Sequence, residues 1–300
     1  MKQLVILSGK GGTGKTSLTA AFAHLASLDG SPFNPVLADA DVDAANLELV
    51  LAPRIQEKDD FWGGAIAAID PDHCSSCGNC AEVCRFEAII ADVGTFKIDP
   101  IACDGCAACV YQCPEDAIEM QNQIAGQWLR SESRFGTLFH AALRPAQENS
   151  GKLVTLVKQH ARLLAMDTGQ DMVLVDGPPG IGCPVISATS GADLALIVAE
   201  PTITGVHDML RAIDTCRHFG VRALVCINKA DLYPQGAAKI DEYCREEGIT
   251  MIGRIPFDPT VTEAMVQGEP VTEFHPESPA SQALRQIWAA VTDVLMEPSK

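Results

Sequence analysis

Gly9-Lys10-Gly11-Gly12-Thr13-Gly14-Lys15-Thr16 is the stretch on which the fold of this 300-residue chain turns. It matches G-x4-G-K-[ST], follows the apolar run Leu4 to Leu7, and opens a helical pattern from Thr16 to Ser27 with Leu18, Phe22 and Leu25 on one face. Glycines in such a loop let backbone N–H groups approach phosphate oxygens, and the helix N-terminus adds a favourable dipole. Lys15 would bridge the β- and γ-phosphates, and the Thr16 hydroxyl would bind Mg²⁺. The plain alternative is a glycine-rich turn without a ligand. The acidic partners further along the chain weigh against it.

Working outward, Val36 to Ala38 reads as a second strand running into Asp39, Asp41 and Asp43, with helix or turn at Asn46 to Leu51. Asp39 or Asp41 is placed to orient the attacking water or complete the Mg²⁺ shell, with Asp43 a weaker candidate. Met172 to Val175 is a strand that ends at Asp176, the expected second acidic Mg²⁺ contact. Leu194 to Val198 and Ala223 to Ile227 are further buried strands, with a helix at Met209 to His218 between them. Gly151 to Leu164 reads as an amphipathic helix with Leu153, Leu156, Val157 and Leu163 on its apolar side. A terminal helix carries Leu284, Ile287, Trp288, Val291 and Leu295. Strands alternating with helices predict an α/β, doubly wound, mostly parallel sheet whose site lies at the strand C-termini.

The alternation breaks between Pro53 and Gln121, where short elements, cysteines and acidic residues are expected instead. Cys74, Cys77, Cys80 and Cys84, then Cys103, Cys106, Cys109 and Cys113, each obey C-x2-C-x2-C-x3-C. The surroundings repeat too: Ile69-Asp70-Pro71 recurs as Ile98-Asp99-Pro100, and Ala88-Ile89 as Ala117-Ile118. This spacing is that of a bacterial two-cluster ferredoxin, in which each set lends its fourth cysteine to the other cluster. It assigns Cys74, Cys77, Cys80 and Cys113 to one [4Fe–4S] cluster, and Cys103, Cys106, Cys109 and Cys84 to the other. Zinc or buried free thiols are the alternatives, but structural zinc more often uses C-x2-C pairs with longer spacers. Pro114 follows Cys113, whereas Arg85 follows Cys84, so a cation beside one cluster would make the two unequal. The expected domains are 1–55 and 123–300 for the phosphate-binding part, with 56–122 as an inserted small α+β ferredoxin-like domain.

Composition narrows the partners. A net charge of −17 argues against nucleic acid and anionic membrane surfaces. From Lys58 to Met120 there are 12 acidic and 3 basic residues, which is either a docking face for a basic redox protein or an ordinary solvated surface. No signal peptide or membrane anchor is read, and twelve cysteines without one point to a reducing, cytoplasmic setting.

The second lysine of the loop, Lys10, gives K-G-G-T-G-K-T, which resembles the deviant Walker A of the MinD/ParA/Mrp ATPases, a group that includes the nitrogenase iron protein. Asp39-Ala40-Asp41 with Asn46 is similar to that group's switch I, and Asp176-Gly177-Pro178-Pro179-Gly180 to its switch II. With the cysteines, the chain resembles members carrying an inserted ferredoxin domain, as do Glu148-Asn149-Ser150-Gly151-Lys152 and Gly253-Arg254-Ile255-Pro256-Phe257-Asp258. The resemblance implies Mg²⁺-dependent ATP hydrolysis and an ATP-dependent dimer, with itself or a related ATPase, in which Lys10 reaches the partner's phosphates. Asn228-Lys229-Ala230-Asp231 matches the guanine-selecting N-K-x-D of many GTPases, but in the resembled group this Asn lies beside adenine, so ATP is expected. Nucleotide-coupled electron transfer to a redox partner is the first functional expectation. An iron–sulfur carrier or scaffold of the Mrp type, and a MinD/ParA-like positioning ATPase with redox-sensing clusters, are the alternatives. Cys183 is expected to be a buried or switch-packing thiol, Cys216, Cys226 and Cys244 core or helix residues, and His207 a helix-start residue. The C-terminal helix resembles in position the membrane-binding helix of MinD, but without a basic face it reads as core-packing.

Overall fold

The computed structural model describes residues 1–144 and 150–297. Glu148 and Asn149, part of one stretch singled out above, lie outside the described residues. The chain divides into two compact units. The larger comprises 1–59, 128–142 and 150–300, and the smaller 60–127 and 143–149.

In the larger unit the chain opens with β1 (Lys2–Ser8), whose last six residues are fully buried. The phosphate loop leads into α1 (Lys15–Ser27), then β2 (Pro35–Asp39), α2 (Leu47–Leu51) and the start of β3 (Arg54–Ile69). The smaller unit holds the rest of β3, then α3 (Asn79–Val83), β4 (Ile89–Asp92), β5 (Thr95–Ile98), α4 (Ala108–Gln112) and the first part of β6 (Ile118–Ser133). β6 turns at Arg134-Phe135 into β7 (Gly136–Leu143), a two-residue connection that makes the pair antiparallel. Then follow α5 (Ser150–Thr168), β8 (Met172–Pro179), α6 (Cys183–Thr189), β9 (Leu194–Ala199), α7 (Ile203–His218), β10 (Arg222–Asn228), α8 (Pro234–Glu246), β11 (Thr250–Ile255), α9 (Pro259–Gln267), α10 (Val271–Phe274) and α11 (Pro279–Met296).

The strand order is β11-β10-β9-β1-β8-β2-β7-β6-β3. β1 pairs in parallel with β8 and β9, β10 with β9 and β11, and β2 with β8 and β7. The mostly parallel α/β sheet is therefore present. Its strands are continuous apolar runs because helices cover both faces. Chain order reverses on either side of β1, so the crevice beyond its C-terminus is where a ligand site is expected. α1 and α11 meet over the sheet through Phe22 and Trp288, ring centroids 4.9 Å apart. Truncating Phe22 to Ala would cost about 3–5 kcal/mol. The apolar side of α11 is buried, including Leu284, Ile287, Trp288, Val291 and Leu295, as the core-packing reading requires.

Two sequence expectations need correction. The stretch around the cysteines does not consist of short elements alone, because β3 and β6 are 16 residues long. Gly63, Gly64 and the charges Glu57 to Asp60 mask the strand alternation of β3. In α5 the buried side is Leu153, Val154, Val157, Lys158, Ala161 and Ala165, while Leu163 is 58 % exposed. A buried lysine stands where an apolar pattern would look for a hydrophobe, and the face is turned accordingly.

The duplicated pattern of the smaller unit is written into its backbone. Left-handed φ angles occur at Ser76, Gly78 and Glu87, and again 29 residues later at Gly105, Ala107 and Asp116. α3 and α4 are offset by the same amount. The halves cross: Asp70 N–H donates to Ala117 O at 2.8 Å, and Asp99 N–H to Ala88 O at 2.7 Å. The segment after each cysteine set thus pairs with the one leading into the other.

Candidate functional site

The phosphate loop begins at the C-terminus of β1 and wraps onto the start of α1. Gly14 takes φ 94°, and a Cβ there would lie 2.4 Å from Asn228 Nδ2, so only glycine fits. Asn228, at the end of β10, donates to Thr13 O at 2.7 Å and so touches the loop itself. Thr13 Oγ1 is buried and has no hydrogen-bond partner. An orphaned hydroxyl in a glycine loop with backbone N–H groups fits a phosphate as its missing partner.

Lys15 is nearly buried, and its Nζ donates to Ser8 Oγ at 2.8 Å. Burial holds its ammonium below the ordinary lysine range, while Asp176, Asp41 and Asp39 pull the other way. Asp39 and Asp176 are register neighbours on β2 and β8, and both are fully buried. Burial and the adjacent Asp176 carboxylate push Asp39 well above the carboxylate range; burial also raises Asp176, against Lys15 and hydrogen bonds from Thr16 and Thr19. Such a crowded acidic pair beside a lysine fits a divalent cation. Asp39 already accepts from Asp41 N–H at 3.0 Å and Leu47 N–H at 3.1 Å, one bond on each oxygen. Asp41 is half-buried, and burial raises it to about 6 against the pull of Lys15. It is the freer of the two to hold a water. Asp43 is exposed.

Lys10 does not lie over the loop. Its Nζ pairs with Glu200 Oε2 at 2.8 Å, and Lys229 Nζ pairs with Oε1 of the same residue at 2.6 Å. Burial opposes ionisation of Glu200, but hydrogen bonds and charge from Lys10 and Lys229 prevail and hold it below its ordinary range. Glu200 was missed from sequence. An acid directly after the apolar strand Leu194 to Ala199 is the same signal that marked Asp39 and Asp176. Asp231, the last residue of N-K-x-D, accepts from Phe257 N–H at 2.6 Å.

The eight cysteines gather into two pockets of the smaller unit. Cys74, Cys77, Cys80 and Cys113 line one with Ile69, Phe96 and Ile118, around about 300 Å³ of empty space that includes its open side. Cys84, Cys103, Cys106 and Cys109 line the other with Ala67, Phe86 and Ile89, around about 330 Å³. The crossed pairing of the halves brings Cys113 and Cys84 across. Burial pushes the Cys80 and Cys109 thiols up. Among the described residues no three His, Cys, Asp or Glu side chains converge as a single-ion site. Four thiols spread around an apolar-walled pocket fit an iron–sulfur group better than one tetrahedral zinc.

Cys216, Cys226 and Cys244 are buried, as expected. Cys183 is not. It is the first residue of α6 and exposed, because α6 presents that end to solvent and buries Val185, Ala188 and Thr189 instead. His207 lies in the early part of α7 with an exposed side chain.

The CobQ/CobB/MinD/ParA nucleotide binding domain matches residues 4–271. The chain belongs to this family of P-loop ATPases. An uncharacterized protein of Methanocaldococcus jannaschii, MJ0578, is 39% identical over 227 residues, covering 76% of this chain and 78% of its own. The iron-sulfur cluster carrier protein of Aquifex aeolicus is 28% identical over 137 residues, covering 42% of this chain and 38% of its own. That match spans well under half of the carrier. The septum site-determining protein MinD of Pyrococcus horikoshii, solved with Mg-ADP, superposes with a TM-score of 0.59 at 18% identity, covering 100% of this chain and 99% of that one. It shows a shared fold. For a MinD/ParA-type ATPase, ATP and Mg²⁺ are the natural ligands of the loop, and ATP hydrolysis is the family's chemistry. Among the described residues no helix is long and apolar enough to cross a membrane.

Proposed function

We propose that this ATPase holds two [4Fe–4S] clusters in a ferredoxin-like insert spanning about residues 56–122, dimerises on ATP, and couples its nucleotide state to electron delivery to a redox partner. The observation that carries the reading is the division of eight thiols into two pockets, each completed by the fourth cysteine of the other set. Cys74, Cys77, Cys80 and Cys113 would hold one cluster, and Cys103, Cys106, Cys109 and Cys84 the other. When bound, the clusters would supply one-electron transfer.

The remaining steps belong to the chain's own residues. Backbone N–H groups from Gly9 to Thr16 and the Thr13 hydroxyl bind phosphate oxygens. Lys15 leaves Ser8 Oγ for the β- and γ-phosphates, where the transferred group gathers charge. The Thr16 hydroxyl and Asp176 would hold Mg²⁺, which would offset charge on the phosphates. Asp41 orients the attacking water at its carboxylate. Lys10 gives up Glu200 to reach a partner subunit's phosphates, and Asn228 lines the base side of the loop.

The test is anaerobic purification, iron and sulfide analysis, and an EPR-monitored redox titration repeated with ATP and with ADP. About eight iron and eight sulfide per chain are expected, with midpoints or delivery rates that change with nucleotide. Zinc in place of iron would sink the cluster assignment; nucleotide-independent potentials and rates would sink the coupling. The distant likeness to a protein named as an iron-sulfur cluster carrier favours a second reading, in which clusters pass to an apo-acceptor. Transfer to an apo-ferredoxin at a rate exceeding spontaneous loss would support it.

A further inference from the structure

At the end of the sheet opposite the phosphate loop, a pocket of about 780 Å³, open side included, lies within the larger unit. Gln3, Lys158, Arg162, Ser187, Ser190 and Phe219 are among its walls. Gln3 is the second residue of β1, so the pocket and the phosphate site sit at opposite ends of one strand. Gln3 is 3 % exposed, and its side-chain amide Nε2 is buried with no hydrogen-bond partner. A buried amide donor without an acceptor is rare enough to require one.

Lys158 is nearly buried, and its Nζ donates to the carbonyls of Ser187 at 2.6 Å, Ala188 at 2.7 Å and Ser190 at 2.7 Å. These carbonyls close the C-terminal end of α6, where a cation is favoured. The three bonds use all three ammonium protons, but among the described residues no carboxylate pairs with it. Arg162 lies one turn further along α5, and among the described residues no carboxylate pairs with it. Burial first, and the nearby Arg162 second, bring Lys158 down to about 8. Asp193 accepts from the Gln3 backbone N–H at 2.7 Å and is not among the pocket walls. In a chain of net charge −17 an uncompensated cationic pocket stands apart. Capping α6 explains Lys158. It does not explain the idle amide of Gln3, and the exposed Arg162 guanidinium adds a second positive charge at the pocket wall.

We propose that this pocket binds a small anionic molecule through a carboxylate or phosphate group. The anion would accept from Gln3 Nε2 and the Arg162 guanidinium in the field of Lys158, with Phe219 and Ile186 covering its apolar part. The site does not depend on the cluster reading.

Equilibrium dialysis of the full-length protein, saturated with Mg-ADP so that the phosphate loop is filled, tests it with labelled inorganic phosphate and labelled succinate as probes. Saturable binding of one probe at about one per chain is expected, and which probe binds tells phosphate from carboxylate. Arg162→Ala, at an exposed position, should weaken it about tenfold or more. Gln3→Glu should abolish it by placing a carboxylate against the anion. ADP affinity should be unchanged in both variants, which also reports that they fold. No saturable binding of either probe up to about 10 mM, or binding that survives both substitutions, overturns the proposal.

Discussion

The main core of the larger unit contains Phe22, Leu37, Leu174 and Trp288 and none of the side chains that would touch nucleotide. In the smaller unit one buried apolar cluster is Ala67, Cys80, Cys109 and Ile118, so candidate ligands make up half of that cluster. One unit carries its site on a scaffold that stands without it; the other has its site as its scaffold. A small unit with little apolar core needs a staple, and a metal group bound there would supply folding energy. The nucleotide site shows the opposite design, with Asp39, Asp176 and Lys15 held buried in the frame.

The largest effect should come from breaking that contrast directly. Stripping iron from anaerobically purified protein should remove hydrogen-exchange protection across residues 60–127 while the strands β1, β8 and β9 keep theirs and ADP still binds. Hydrogen exchange read by mass spectrometry measures both regions at once. If the smaller unit kept its protection without iron, its thiols would be ordinary core residues.

Lys15→Ala tests the other side. Loss of the phosphate-loop lysine should lower ATP hydrolysis by about 10²-fold or more, with iron content and exchange in the smaller unit unchanged. A parallel loss of iron would show that the two sites are not independently built.

Much of the nucleotide site is legible in sequence because its determinants are local. A glycine loop, the acids that end apolar strands, and the lysine pair all declare themselves over a few residues. The cysteine repeat is legible for the same reason, since each half carries its own spacing. What escaped depends on distant pairing or on polar residues in buried positions. β3 and β6 are long neighbouring strands separated in sequence by the whole cysteine segment, and Gly63, Gly64 and charge break the alternation of β3. Lys158 sits on the buried side of α5 because three carbonyls of another helix receive it, so the apolar pattern points to the exposed Leu163 instead. Glu200 carries the right signal, an acid after a buried strand, but its role shows only when Lys10 and Lys229 are seen on it. Cys183 defeats the general rule that free cysteines are buried because its helix begins at the surface.

Asp41→Asn should reduce hydrolysis by roughly 10- to 100-fold with nucleotide binding retained. The pH dependence gives a sharper check. Burial raises Asp41 to about 6, so below that value it is protonated and becomes a much weaker acceptor for the attacking water. The maximal rate should therefore rise with pH through about 6 and level off above it, and the Asn variant should lose that limb. A limb that persists in the variant would move the role to Asp39, whose two oxygens are already engaged by backbone N–H groups.

The smallest expected effect compares the two halves of the repeat. Arg85 and Pro114 occupy equivalent places after the fourth cysteine of each set, and the Arg85 guanidinium lies over the Phe86 ring at 5.9 Å. Phe86 lines the pocket of Cys84, Cys103, Cys106 and Cys109, so the cation stands beside that pocket and not inside it. Arg85 is exposed to solvent, and water screens such a charge. Arg85→Pro, which makes the halves alike at this position, should lower the midpoint of that one cluster by about 10–40 mV, the range an exposed charge commands. Removing a cation disfavours the added electron, which fixes the direction. Two resolved midpoints that move together in the variant would mean that overall charge, and not the residue beside one pocket, sets them apart.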